Sequence, residues 1–244
     1  MIRKILSTLF CLIFIGGITT VVVLSYDEDD QTKITTINIK IADEENSLFI
    51  NEARIRYHLD ENGPLIGQYV KDLNISELHD YISEIPFVRK ANVYVSLRGA
   101  INIELTQKQP QARVHPPNGK DYYIDEFGET MPLDNVHSER VPVIHARKLD
   151  EAKLGVEFLN EVEGDRFWTS LIDQIIIEPS GDITILPRLG APVFIGLNQD
   201  VEEQKKNLIT FYREQVKSGN LKKYRKIDLS YQDQVIATRY AHLN

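Results

Sequence analysis

Cysteine is all but missing from this chain: Cys11 stands alone, so no intramolecular disulfide can form and stability must come from packing. Glycine and proline are sparse as well, 13 and 10 residues, too few for a long low-complexity linker. Positive charge is in deficit, with 28 Lys and Arg against 36 Asp and Glu, and the net charge of −8 comes without the clustered basic residues that a nucleic-acid surface needs. The chain has no G-x-S-x-G, no S-x-x-K, no phosphate-cradling glycine pattern, and no cysteine after the eleventh residue. These absences leave no nucleophile, no cofactor and no small-molecule substrate to name, and they point away from an enzyme.

Weaker chemical signals have plain structural readings. The histidines are scattered, and His115, His137 and His145 fall in expected loops without the short spacing of a zinc site, so no metal is expected. Asp125 and Glu126 fall in an expected turn, and Glu202 and Glu203 in the first turn of a helix, where negative charge favours the dipole. Asn74 and Ser76 form a sequon, read here as helix caps. Gly16 and Gly17 lie inside an apolar run, where small residues permit helix contact or simply fill space.

That run, residues 5–24 (ILSTLFCLIFIGGITTVVVL), carries no charge. At about 1.5 Å per residue a helix of this length matches the roughly 30 Å hydrocarbon layer of a bilayer. Arg3 and Lys4 precede it, and Asp27, Glu28, Asp29 and Asp30 follow it. The charge bias therefore predicts a cytoplasmic tail over residues 1–4, a transmembrane helix over 5–25 and export of the remainder. A cleaved signal peptide is the competing reading, with Val23 and Ser25 at the positions a peptidase inspects, but the run is longer than a signal core and lacks Ala-x-Ala.

The exported part reads as α+β. Residues 32–41 alternate as a strand, 51–59 and 74–85 carry helical spacing with Asn51 and Asn74 or Ser76 as caps, and 88–97 with 101–105 form a hairpin. Further on, residues 121–133 read as a hairpin hinged at 125–128, 141–144 as an edge strand, and 149–162 as a helix or helical pair. Residues 174–177, 183–186 and 192–195 read as meander strands, and 200–218 as an amphipathic helix with Val201, Leu208, Phe211, Tyr212 and Val216 inward and Gly219 as its cap. Strands over 225–231 and 234–240 close the chain.

This order and four phrases resemble the FtsQ/DivIB family of bacterial division proteins. Residues 78–88 (LHDYISEIPFV) with Ala91 and Val93 look like the step in a POTRA domain where a helix delivers Pro-aromatic-Val into a strand. Residues 108–113 (KQPQAR), 123–133 (YIDEFGETMPL) and 227–231 (IDLSY) follow in the family's order and approximate spacing. The sequence departs from the commonest pattern at Ser230, where Arg often precedes the Tyr, and it has no Trp near its end.

The resemblance implies a POTRA-like domain over 32–111 and a β domain over 112–244. It further implies a non-enzymatic scaffold of the inner membrane, largely periplasmic and placed at the division septum. There it would link FtsB and FtsL to the machinery that makes septal peptidoglycan. The alternative is a POTRA-type periplasmic chaperone or assembly factor for outer-membrane or secreted proteins, although such proteins normally repeat the POTRA unit. Physical reasoning adds a site. A final strand with few flanking residues leaves one edge unpaired, and a partner can extend the sheet through main-chain hydrogen bonds. The candidate partner-binding residues are Tyr231, Val235, Ile236, Ala237, Thr238, Arg239 and Tyr240. The opposing reading makes Ile227, Leu229, Val235 and Ile236 core residues of a closing hairpin.

Overall fold

A computed structural model describes residues 10, 12–20, 31–42, 49–196 and 200–241. Phe10 and residues 12–20 are helical, with Leu12, Ile13, Phe14 and Ile15 exposed. The rest of the expected transmembrane segment over 5–25 lies outside the described residues. Among the described residues no helix is long and apolar enough to cross a membrane. The chain divides into two compact units, residues 1–108 and 109–244.

The first unit runs strand, helix, helix, strand, strand: β1 (Thr36–Ile41), α1 (Glu52–Glu61), α2 (Ile75–Ser83), β2 (Val88–Val95) and β3 (Ala100–Gln107), with a 3-10 turn at Val70–Asp72. Both helices start where a side-chain amide can close the first turn. Asn51 accepts from the Arg54 amide at 2.8 Å, and Asn74, rather than Ser76, accepts from Glu77 at 3.2 Å. Pro86 forbids continuation of α2, whose apolar stripe of Leu78 and Ile82 is buried.

In the three-stranded sheet, β3 lies in the middle, parallel to β1 and antiparallel to β2. Strict alternation buries Ile101, Ile103 and Leu105. Gln107 ends β3 inside the core, where its Oε1 accepts from the amides of Phe49 and Ile50 and so pins the approach to α1.

The β2–β3 turn depends on Gly99. Its φ is +77°, and a Cβ there would lie 2.0 Å from the Lys33 carbonyl oxygen, a backbone atom that cannot rotate away. Gly99→Ala is therefore expected to destabilise the protein by about 3 kcal/mol, combining left-handed strain with a displaced strand, as read by urea unfolding. A loss below about 0.5 kcal/mol would show that the turn relaxes freely.

The second unit contains β4 (Pro110–His115), β5 (Tyr122–Asp125), β6 (Thr130–Pro132), β7 (Val143–His145), α3 (Leu149–Glu161), α4 (Arg166–Leu171), β8 (Ile172–Ile177), β9 (Ile183–Pro187), β10 (Val193–Phe194), α5 (Val201–Lys217), β11 (Tyr224–Asp228) and β12 (Ile236–Arg239). The strands form one nine-stranded sheet in the order β12-β11-β10-β9-β8-β7-β4-β5-β6. Its apolar core joins Ile144, Ile175, Ile185, Val193 and Ile227 from the strands to Trp168 and Leu208 from the helices.

The β5–β6 turn follows the expected hinge. Asp125 is fully buried, its Oδ1 accepting from the Phe127 and Glu129 amides, and Gly128 supplies φ +78°. The Asp200 carboxylate caps α5, accepting from the amides of Glu202 and Glu203.

Several expectations are corrected. Residues 110–115, whose sequence marks no element, form β4, and the segment around 141–144 is no edge: β7 lies between β4 and β8, parallel to both. His115 and His145 consequently end strands instead of lying in loops. On α5, Val216 is exposed and Gln204 takes an inward place, donating to the carbonyls of Ile195 and, at 3.3 Å, Leu229.

Candidate partner-binding edge

The sheet has two ends, and they differ in what they offer. β6 is three residues long and ends in Pro132, which lacks an amide hydrogen, so that edge is blunted. At the other end, among the described residues, β12 is flanked by β11 alone, antiparallel, with Asp228 opposite Ile236, Ile227 opposite Ala237, Lys226 opposite Thr238 and Tyr224 opposite Arg239.

The hairpin joining them is held by a short polar network. Asp228 Oδ1 accepts from the Ser230 amide at 3.1 Å and from its hydroxyl at 2.6 Å, while Lys226 Nζ donates to Oδ2 at 2.8 Å. The amide of Asp233 donates to Glu203 at 2.9 Å, tying the turn to α5, and Asp233 itself has φ 56°, a left-handed position that Asp tolerates better than most residues. Ser230, the departure from the family pattern, thus serves here as a turn donor. Asp228 lies within the 227–231 phrase, and its Asp-x-Ser spacing with Ser230 is a readable turn signal, whereas nothing in the sequence points to Lys226.

Partial burial of Asp228 pushes its carboxyl up, but the hydrogen bonds from Lys226 and Ser230 outweigh this and hold it below the usual carboxylate range. A carboxyl depressed on folding adds stability above its unfolded pKa of about 3.9 and loses it as the pH falls through the folded value. Asp228→Asn is expected to cost about 1 to 2 kcal/mol at neutral pH, with the gap to the parent protein closing below about pH 4 in acid-dependent urea titrations. A gap that stays constant into acid would show that the network matters only as packing.

The amide of Tyr240 donates to the Lys223 carbonyl at 3.1 Å. Peptide groups alternate sides along a strand, so this bond sets the direction of the others. Those of Ile236, Thr238 and Tyr240 face β11, and those of Ala237 and Arg239 face outward. Side chains alternate too. Val235 and Ala237 pack against the core and Arg239 lies over the Tyr224 ring, 5.5 Å from its centre, whereas Ile236 and Tyr240 are exposed.

Of the named site residues, Ile236, Ala237, Thr238 and Arg239 form the strand, and Val235 and Tyr240 flank it. Tyr231 does not belong to it: β11 stops at Asp228, and Tyr231 lies half-exposed in the turn. Ile227 and Leu229 are core residues, and Ile236 is not.

Residues 109–238 match the family described as FtsQ/DivIB, C-terminal related. The chain belongs to the FtsQ/DivIB family. Residues 32–106 match a POTRA-like domain, covering the strand, helix, helix, strand, strand unit. The chain is also similar, at 23% identity over 190 residues, to the cell division protein FtsQ of Rhodothermus marinus, with 72% of this chain and 69% of that protein covered. The FtsQ/DivIB phrases occupy defined places: 78–88 is α2 running into β2, 123–133 is the β5–β6 hairpin, and 227–231 is the end of β11 with its polar turn. Among the described residues no group of three or more His, Cys, Asp or Glu side chains is placed to hold a metal ion. The chemistry on offer at β12 is that of main-chain pairing flanked by exposed Ile236, Tyr240 and Tyr231.

Proposed function

We propose that this FtsQ-family protein is a non-enzymatic cell-division scaffold whose partner adds a strand to β12. The partners are FtsB and FtsL, joined through it to the machinery of septal peptidoglycan synthesis. In this reading residues 5–25 cross the inner membrane once, the N-terminus is cytoplasmic, and both folded units work in the periplasm at the septum. The observation that carries it is the outward direction of the Ala237 and Arg239 peptide groups on the end strand of a nine-stranded sheet. The exposed Ile236 and Tyr240 side chains give such a strand something to select by.

The test is a pull-down from membranes with and without residues 230–244, probed for FtsB and FtsL. Both are expected in the eluate of the full chain and absent from that of the truncation. Equal recovery from a folded truncation would refute the assignment of the site. Depletion in cells separates this reading from the chaperone alternative. Filaments lacking septa support division, while normal septa with missing outer-membrane proteins support the chaperone.

A further inference from the structure

We propose that His115 and His145 form a binding site for a late first-row divalent cation, Cu²⁺ or Zn²⁺, on the sheet face of the second unit. The parallel pairing of β4 and β7 sets these two residues directly opposite one another, with ring centres 5.4 Å apart and planes at 77°. Two imidazoles bound to one metal at about 2.1 Å in tetrahedral geometry have ring centres roughly 5.3 Å apart, so the observed spacing suits a chelate with little backbone movement.

The outer hydrogen bonds select the tautomers. His115 Nδ1 lies 2.8 Å from Asp121 Oδ1, and His145 Nε2 lies 2.7 Å from Gln174 Oε1. Ionised carboxylate and amide oxygens only accept, so each of these ring nitrogens carries the hydrogen. The lone pairs fall on His115 Nε2 and His145 Nδ1. A carboxylate or carbonyl behind each ring is the support that metal-binding histidines use, since it fixes the tautomer and raises the basicity of the free nitrogen.

Local charge permits a cation. Arg113, two residues before His115 on β4, is held on the other oxygen of Asp121, Nη2 at 2.6 Å and Nε at 2.8 Å, so that the two charges offset. The His115 side chain is 54% exposed, which leaves a path for the ion. With only two protein ligands the remaining positions belong to water, and the site is exchangeable rather than structural. Imidazole donors favour Cu²⁺ over Zn²⁺ and leave Mg²⁺ and Ca²⁺ unbound.

The experiment uses the full chain in detergent, titrated with CuCl₂ and ZnCl₂ by calorimetry, with Cu²⁺ electron paramagnetic resonance to count nitrogen ligands. The parent protein is expected to bind with a Kd below about 100 µM and to show two imidazole nitrogens. His115→Ala and His145→Ala are each expected to weaken binding by at least about tenfold, and Asp121→Asn, which keeps the ring ligands, by about tenfold. Unfolding midpoints confirm that the variants remain folded. The proposal is overturned by parent binding weaker than about 100 µM, by equal affinity for Ca²⁺, or by histidine variants that keep the parent affinity and spectrum, which would place the ion on other histidines.

Discussion

Trp168→Ala is expected to lower the unfolding free energy by about 4 kcal/mol, the largest effect of any single core truncation in the second unit. Trp168 is fully buried and meets Phe158 edge-on at 5.9 Å and Phe167 at 5.3 Å. It sits on α4, a helix of six residues that is too short to persist on local propensity. Two things hold it: the Asp165 cap, which accepts from the Phe167 and Trp168 amides, and the burial of Trp168 and Leu171. Removing the indole leaves a cavity and releases the helix together.

Among the described residues the indole Nε1 has no hydrogen-bond partner although it is buried. An unpaired buried donor is unfavourable, so the residue is retained for its volume and its ring contacts rather than its polarity. Trp168→Phe removes that donor along with part of the volume, and a much milder loss, about 1 kcal/mol, is expected. Trp168 is the only tryptophan, so unfolding of these variants must be followed by circular dichroism instead of intrinsic indole fluorescence. Equal losses for Ala and Phe would show that the cost lies in contacts made only by the indole, not in the cavity.

Local patterns were legible in the sequence where a segment buries one face and meets polar residues on the other. Ile101, Ile103 and Leu105 alternate as they are buried, Asn51 and Asn74 cap the helices they precede, and Asp125 with Gly128 marks a real turn. Pairing was not legible, because it is set by tertiary partners. β4 begins at a proline, and nothing local announces that it lies parallel to β7. The same parallel pairing brings His115 beside His145, a neighbourhood no spacing rule could reveal. α4 lies just past the 149–162 stretch that reads as a helix or helical pair, and its six residues carry too little periodicity to mark their own bounds. At the site, the strand was legible from its β-favourable residues. Its sides were not: Tyr231 lies in the turn because Asp228, Lys226 and Ser230 end β11 with side-chain hydrogen bonds, and hydrogen-bond networks of that kind leave no hydropathy signal.

Ala237→Pro is expected to leave the protein folded while weakening the partner's binding at least about a hundredfold, because it removes one main-chain donor and sets a ring where the added strand must approach. The direction of each peptide group makes this position special. Tyr240 bonds inward to Lys223, so two-residue alternation turns the Ala237 amide away from β11, and proline there breaks no bond of the hairpin. The Ala237 side chain is small and only partly buried, and the stability change is expected within about 1 kcal/mol. Thr238→Pro supplies the contrast. Its amide faces β11, so the substitution removes a ladder bond opposite Lys226 and is expected to loosen β12 itself. The comparison is cleaner than truncation, since deleting residues 230–244 also strips Val235 and Ala237 from the core. Affinity for FtsB, measured by biolayer interferometry alongside urea unfolding, reads both effects. Unchanged binding by folded Ala237→Pro would end the strand-addition mechanism, and a large loss of stability would show that the amide of Ala237 points inward after all.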